Sequence, residues 1–457
     1  MNSSTTVVSE TISQALADYA CSTSHDAIPT EVRERARLII VDEMASSCFG
    51  GRSIAGGLAA RYAESFAGAC ESSILGSGAV VPAPLAALAN GTAGHGEEVD
   101  GAHVVGGHPG ATIVSAAVAV AEKQRSTGAE LLNAVVLGYD IGTRIVQACG
   151  GVFGVRDRLH LHSDFLYALG AAAASARLLG VDAAHHRYAL SLATFQSNGL
   201  FALFQENRHI SKSFGNGQYA AAGVNAALMA AMGFEGAEDI VGGTHGLLEA
   251  WGIDDGAQAV RHGLGDEYAV MSANFKFVNA GYPIHAAVEA AMGLITDNSI
   301  RPDDISAIDI GMPRNAMRVV SDRDMHNICV QDMVSAAIVR RGLSIREVPF
   351  PAILADPGYH RIRALVRVSV DPELDRDQPN GRGARATLTL HSGDSHSLLV
   401  RAPRGHSSRG GVTWAELSGK WHDGLPDRDV DRIIALGRDL DSLDDVTTLT
   451  GAFSRIR

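Results

Sequence analysis

Lysine is nearly missing from this chain of 457 residues: of its 38 cationic side chains only four are lysines, Lys123, Lys212, Lys276 and Lys420. Where arginine serves almost everywhere, a retained lysine marks a place for an amine that can lose its proton when desolvated. Cysteine is sparse too. The five thiols are widely spaced, odd in number and without a C-x-x-C pair, which argues against a disulfide framework or a structural zinc centre and for a reducing compartment. No run reaches the ~18 apolar residues a membrane span needs. The first twenty residues lack the basic and apolar regions of a secretory signal, so the expected location is the cytoplasm. Positive charge is in deficit, with a net charge of −13. That disfavours a nucleic-acid or anionic-membrane surface but not a small anionic substrate, which a few local cations can hold.

What the chain does have is apolar material, 46% of residues against 19% charged, enough for a large core and too little charge for disorder. The length allows about three domains, and two large ones fit as well. Its 50 glycines follow no three-residue period, so a collagen-like fibre is excluded. Residues 8–270 read as almost continuous helix, with apolar positions three or four apart in VRERARLIIVDEMASSCFG, ATIVSAAVAVAEKQ and GAELLNAVVLGYDIGTRIVQAC. Stops are expected at Gly50–Gly51, Gly180 and Gly233, where glycine takes the left-handed conformation freely. From about 273 the texture turns to α+β. Strands are expected at 305–313, 361–371 and 386–402, the last two flanking a turn at 378–383. After Pro403 the chain returns to helix. The expected fold is therefore mainly α with an inserted α+β domain: a helical domain over 1–272, an α+β lid over 273–402, and helices over 403–457 that rejoin the first domain.

The densest polar cluster is NGTAGHGEEVDGAHVVGGHPGATIVSAAVAVAE, residues 90–122, with His95, Glu97, Glu98, Asp100, His103 and His108. Pro109 suits the first turn of the helix that follows. Free amides and the dipole at such a helix start favour a carboxylate or other oxyanion. The bottom-up reading is an anion pocket with imidazole and carboxylate acid–base groups. A metal site and a merely structural polar loop are its rivals, although the spacing fits no named metal template. In ENRHISKSFGNGQYAAAG, Lys212 is expected in a short polar loop between Ser211 and Ser213. Lys276 and His285 share ANFKFVNAGYPIHAAVEAAM, where His285 reads as a cap or packing residue. His160 and His162 precede an Ala-rich helix and either could line the pocket. No G-x-S-x-G, P-loop, kinase or dinucleotide signature is present. The Gly-rich stretches open helices in a region that reads as strandless, whereas a dinucleotide fingerprint needs a strand before its glycines.

At these residues the chain resembles the MmgE/PrpD family, which includes 2-methylcitrate dehydratase, cis-aconitate decarboxylase and iminodisuccinate epimerase. The family pattern H-x-x-D-x-D-D-T followed by H-P-G stands here as His95, Glu98, Asp100, Gly101 and Ala102, then His108-Pro109-Gly110. LGAAAASARLLGVD, GNGQYAAAGVNAALMAAMGF, FKFVNAGYPIHAAVEA and the tail PRGH…TWAELSGKW are further matching blocks, in the same order along nearly the whole chain. The resemblance implies a helical domain with an α+β lid, a homodimer, and cofactor-free chemistry on a small di- or tricarboxylate between the domains; no metal is expected, because the histidine-rich loop offers no ligand template. It carries the family's H-P histidine onto His108, its two active-site lysines onto Lys212 and Lys276, and its first and middle aspartates onto Glu98 and Asp100.

The departures from the pattern bear on chemistry. Gly101 and Ala102 replace an aspartate and a threonine, Gly215 and Gly281 replace two histidines of the decarboxylase-like pattern, and Asp332 stands for a tyrosine. The H-P-T block reads His162-Ser163-Asp164. The expected catalytic set is Lys212, His108, Lys276 and His162, with Glu98, Asp100, His103, Ser211 and Asp332 binding substrate. The expected activity is that of a lyase, a dehydratase that removes a proton α to a carboxylate. An isomerase or epimerase using the same first step is the alternative, and a non-catalytic carboxylate-binding protein is a third reading.

Overall fold

The computed structural model of the protein describes residues 10–206, 208, 210–346, 351–377 and 381–453. Local signals set the helices where the apolar periodicity places them. Thr127 and Glu130 form a reciprocal capping box that starts helix Gly128–Ala148. Pro109 opens helix Pro109–Gln124 behind His108, and Gly180 and Gly233, both with positive φ, follow the ends of Tyr167–Leu178 and Ile210–Ala231. Gly51 differs: its φ of −56° is right-handed. Two expectations fail here. Helix Ile210–Ala231 begins early enough to hold Lys212 in its first turn rather than in a loop. Residues 232–272 carry only the short helices Leu247–Ala250, Gly256–Arg261 and Ala269–Ser272 among turns, because few apolar residues recur there at helical spacing.

The helical half is also not strandless. Ser72–Ser73 pairs with Val80–Val81, and Ala102–His103 pairs antiparallel with Ala273–Asn274. Two-residue ladders leave no alternating pattern to read. The second one matters for position, because it ties the loop after Glu98 to the segment that delivers Lys276.

Two large apolar cores form. One runs from Ile12 to Val270 and draws in Val412, Trp421, Ile433 and Phe453 from the tail. The other gathers Ile284 to Leu388 around a four-stranded sheet. Its strand order is Val366–Val370, Ile305–Met312, Ala384–Leu390, Ser395–Val400, with the first pair parallel and the others antiparallel. Ile308, Ile310 and Met312 bury one face of the central strand. The expected strand at 361–371 is half helix, since Asp356 caps helix Pro357–Leu365 before Val366 begins the strand. The run 386–402 is a hairpin of two strands, and Ile305–Met312 lies between it and Val366–Val370. The 378–383 turn thus joins no adjacent pair, and its residues 378–380 lie outside the described ones. Among the described residues, no helix is long and apolar enough to cross a membrane.

Helices pack closely where small residues face each other. At the crossing of Ala83–Gly94 with Ile210–Ala231, a Cβ on Gly217 would lie 2.2 Å from the Leu88 carbonyl oxygen. Backbone cannot yield as a side-chain tip does, so this contact fixes the height of Lys212 against the loop that follows the first helix. Gly217→Ala is expected to lower unfolding stability by about 1–3 kcal/mol. Urea denaturation checks this, and an unchanged midpoint would show the crossing to be loose.

Candidate active site

Helix Ala83–Gly94 ends at His95, and helix Pro109–Gln124 starts behind His108. The loop between them turns inward at Glu98, whose φ of 53° is left-handed. For a residue with a Cβ that conformation costs about 1–2 kcal/mol, and such strain gathers at functional sites. The side chain it aims is buried. Glu98 Oε1 accepts from Lys212 Nζ at 3.0 Å, and Oε2 accepts from Lys276 Nζ at 2.9 Å. One carboxylate therefore holds two ammonium groups brought from 114 and 178 residues away. Burial works against charge on Lys276, but Glu98 and Asp100 outweigh it and raise its pKa, so this lysine stays an ammonium.

Asp100 is the second fixed point. Burial would raise its pKa, yet His95, His108 and Lys276 hold it well below the usual carboxylate range. Its Oδ2 lies 2.9 Å from His95 Nδ1 and 3.0 Å from His108 Nδ1. His108 Nδ1 also lies 3.0 Å from the Gly101 carbonyl. Both partners of that nitrogen only accept, so Nδ1 carries the proton and Nε2 keeps its lone pair. The two rings sit 4.1 Å apart and do not share charge equally. Burial opposes charge on His95, but Asp100 and Glu98 overcome it and raise its pKa. For His108, burial dominates and the His95 and Lys276 charges add to it, so Asp100 only partly offsets the lowering. His108 is thus the neutral base of the pair. Burial is the largest cause of its lowered pKa.

Beneath the loop, Glu43 accepts the Gly101 N–H at 2.8 Å. A Cβ on Gly101 would lie 2.8 Å from Glu43 Oε1, and one on Gly110 only 2.2 Å from the same oxygen, so glycine at both positions leaves room for this acid. Burial, then Asp100 and Asp42, raise its pKa well above the carboxylate range.

Glu98, His108, His162 and Lys212 face a cavity of about 130 Å³, roughly ten times the space one water needs. Its other walls include Ala102, Phe204, Gly281, Tyr282 and Asn315. His162 tilts against Phe204 at 5.7 Å, and burial lowers its pKa to about 4. Lys276 and Asp100 lie directly behind this wall.

Three expected substrate-binding residues are placed otherwise. His103 touches the cavity edge, but its Nε2 donates to Ala269 O at 2.8 Å and its Nδ1 accepts the Val105 N–H at 3.3 Å. Both ring nitrogens are spent on backbone, and burial lowers its pKa to about 4. Ser211 is exposed and turned away from the cavity, beside Phe214; the buried serine is Ser213, two residues further on. Asp332 is locked in the α+β half between Arg363 Nε at 2.5 Å and His326 Nδ1 at 2.6 Å. His285 packs as read from sequence, its Nε2 3.1 Å from Ala280 O. Sequence reasoning passed over Arg156, Tyr282, Asn315 and Arg382, which line the cavity. Nothing in a chain so rich in arginine singles out two of them.

One cluster has metal-ligand character: ligand atoms of His95, Glu98 and His108 lie within 4.8 Å of one another. The donor set fits a cation poorly, because two ammonium groups already sit on the Glu98 oxygens and His95 is itself biased toward its cationic form.

Sequence profiles of the MmgE/PrpD N-terminal domain and the MmgE/PrpD C-terminal domain match residues 14–258 and 279–440. The chain belongs to the MmgE/PrpD family. Among its curated relatives, human cis-aconitate decarboxylase is 24% identical over 215 residues, 46% of this chain and 44% of that enzyme. The cis-aconitate decarboxylase of Aspergillus terreus is 26% identical over 298 residues, 62% of this chain and 60% of the enzyme. The matched region spans about half of these relatives' length. Relatives named as decarboxylases support a lyase-type assignment at the level of the family.

The histidines of this MmgE/PrpD site are expected to titrate apart, His95 above the ordinary imidazole pKa of about 6.5 and His108 and His162 below it. NMR of the ring resonances across pH 3–9 checks this. A His108 that titrates above His95 would reverse the assignment of the base.

Proposed function

We propose that the protein is a cofactor-independent lyase, a dehydratase of a small hydroxy di- or tricarboxylate. One observation carries the reading: the His108 Nε2 lone pair, held by Asp100 behind it, and the Lys212 ammonium meet in one cavity. A substrate carboxylate competes with Glu98 for Lys212 and acidifies the neighbouring C–H bond. His108 takes that proton, and Asp100 stabilises the imidazolium as it forms. The lysines balance the charge developing on the carboxylate, and the β-hydroxyl leaves as water with a proton from Lys212. Gly281 in the cavity wall and Gly215 beside Tyr219 offer no imidazole at the two positions of the decarboxylase-like pattern, which favours loss of water over loss of CO₂.

A second reading, epimerisation, draws on Ala102. It puts a methyl group at the cavity wall where a threonine would bring a hydroxyl to assist a leaving group. Incubation with a panel of hydroxy carboxylates in D₂O, followed by NMR, separates the readings. Loss of water is the expected result; deuterium uptake without loss of mass would indicate the epimerase, and binding without change a silent family member. The homodimer also remains a proposal, supported by Leu58, Tyr62, Phe66 and Phe214, which expose apolar surface in one region.

His108→Ala is expected to lower kcat by ~10²–10⁴ with folding kept. A loss of melting temperature with kcat intact would make it a cap residue. Lys212→Arg is expected to be nearly as damaging as Lys212→Ala, because arginine cannot give up a proton; retained activity would leave lysine a clamp only. Dialysis against a chelator is expected to leave turnover unchanged, and recovery of lost turnover on adding a divalent ion would overturn the metal-free reading.

A further inference from the structure

Asp42, Glu43, Glu98 and Asp100 are all buried, but they are not matched by cations alike. Glu98 holds the Lys212 and Lys276 ammonium groups, and Asp100 lies against His95, His108 and Lys276. Asp42 accepts from Lys420 Nζ at 2.7 Å. Glu43 is the exception. Its Oε1 accepts one backbone N–H, from Gly101 at 2.8 Å, and its Oε2 is buried with no hydrogen-bond partner among the described residues. The elements packed around helix Thr30–Gly50 bring Glu43 no paired counter-charge. Helix Trp414–Gly424 carries Lys420, whose ammonium is bonded to Asp42 and to the Val99 carbonyl. The loop brings Asp100, of like charge, and helix Gly128–Ala148 brings Tyr139, whose hydroxyl is held un-ionised by burial and by Glu43. Helix Pro109–Gln124 presents Gly110, helix Ala83–Gly94 has no charged residue, and Asp431, Arg432 and Arg438 of helix Val430–Arg438 are exposed. A carboxylate here would have exchanged its water for one N–H bond and two anionic neighbours, so the group is held as the neutral acid.

Gly101 is where this acid acts. The N–H that Glu43 holds belongs to the peptide joining Asp100 to Gly101. The two acceptors of His108 Nδ1, Asp100 Oδ2 and the Gly101 carbonyl, lie on either side of that peptide, each at 3.0 Å from the ring nitrogen. Glycine is the residue with the most backbone freedom. No side chain can restrain position 101, since a Cβ there would lie 2.8 Å from Glu43 Oε1 and 2.9 Å from the Asn274 carbonyl oxygen. The hydrogen bond from Glu43 takes over that restraint.

We propose that Glu43, as a neutral acid, is the positioning residue of His108: through the Gly101 N–H it fixes both acceptors of Nδ1, which keeps the proton on Nδ1 and the lone pair on Nε2. The inference rests on the reading of His108 as the base and adds the group that holds it ready. Neutrality is part of the role. A charged carboxylate at this place would add to Asp100 in favouring the imidazolium, and the base would be protonated before substrate arrives. The neutral acid supplies an acceptor without that charge.

Two variants of the full chain test this by NMR of the His108 ring, with no substrate needed. Glu43→Gln is isosteric with the neutral acid, and Glu43→Met fills the same space without an acceptor. The Gln variant is expected to keep the His108 Nδ1–H signal and a titration midpoint within about 0.3 pH unit of the wild type. In the Met variant that proton is expected to exchange too fast to be seen. With an acid that the wild type turns over, kcat should stay within about twofold for Gln and fall roughly tenfold to hundredfold for Met, with KM nearly kept. Urea midpoints read the proton itself. Above the ordinary carboxylate pKa of about 4.3 the unfolded chain ionises while the folded protein holds the proton, so wild-type stability falls as pH rises. The Gln variant lacks that loss and should gain on the wild type between about pH 5 and 8. A His108 midpoint that drops by about one pH unit or more in the Gln variant, or a stability difference that stays flat with pH, would show Glu43 to be charged and overturn the proposal. A wild-type Nδ1–H signal in the Met variant would overturn the positioning role. Should that variant melt early, Glu43→Asp takes its place, because the shorter arm withdraws the acceptor from Gly101, and an unchanged signal there overturns the role as well. Absence of turnover with every acid would remove the lyase reading and leave the NMR and urea outcomes to judge Glu43.

Discussion

The site depends on one carboxylate shared by two ammonium groups. Taking an ion out of water costs several kcal/mol even after relaxation. Lys212, Lys276 and Glu98 are all buried, and each is tolerable only because the others are there. Removing Glu98 would strand two positive charges, a change of the kind that costs about 3–5 kcal/mol. The same arrangement prepares the site for its ligand. On the proposed reading, an incoming carboxylate would meet ammonium groups that are already desolvated and already positioned, and would displace an acid of the same chemical type rather than a shell of water. A guanidinium is too broad and too fixed in geometry for this role, which accounts for lysine at these positions in a chain that otherwise uses arginine.

Asp100 imposes the second constraint by serving two imidazoles that cannot both be charged at 4.1 Å. The more enclosed His95 has its pKa raised and is the more readily charged, and His108, at the cavity, has its pKa lowered and is the more readily kept as a base. The asymmetry comes from contacts and not from chemistry intrinsic to either ring. Glu43 and the glycines at 101 and 110 support the loop from below, so a carboxyl group reaches that region from a neighbouring helix although Gly101 itself has none.

Much of this was legible in the sequence. The scarcity of lysine drew attention to four positions, the resemblance to a known family narrowed them to Lys212 and Lys276, and the density of His, Asp and Glu between 95 and 108 pointed to the loop that faces them. Helices were legible where small apolar residues recur over many turns. What could not be read was direction. Ser211 and Ser213 flank the same lysine, yet a 3.6-residue period buries one and exposes the other. His103 looks like His108 in sequence, but its backbone partners come from residues 105 and 269. Asp332 sits opposite Arg363, a partnership made by two helices of the α+β half that are 31 residues apart in sequence. The strand order was hidden for the same reason, because a strand inserted between two others leaves no local trace.

The placement of the lysines also governs how the protein meets amine-directed chemistry. Lys420 is sealed against Asp42, Lys276 is fully enclosed, and Lys123 is partly covered beside Glu71. A mild acylating reagent therefore finds very few competing side-chain amines. Lys212 alone among them borders the cavity, so its rate of acylation reports how often the cavity opens, without an engineered label. A ligand that occupies the cavity protects that amine, and occupancy becomes measurable by mass from a single residue.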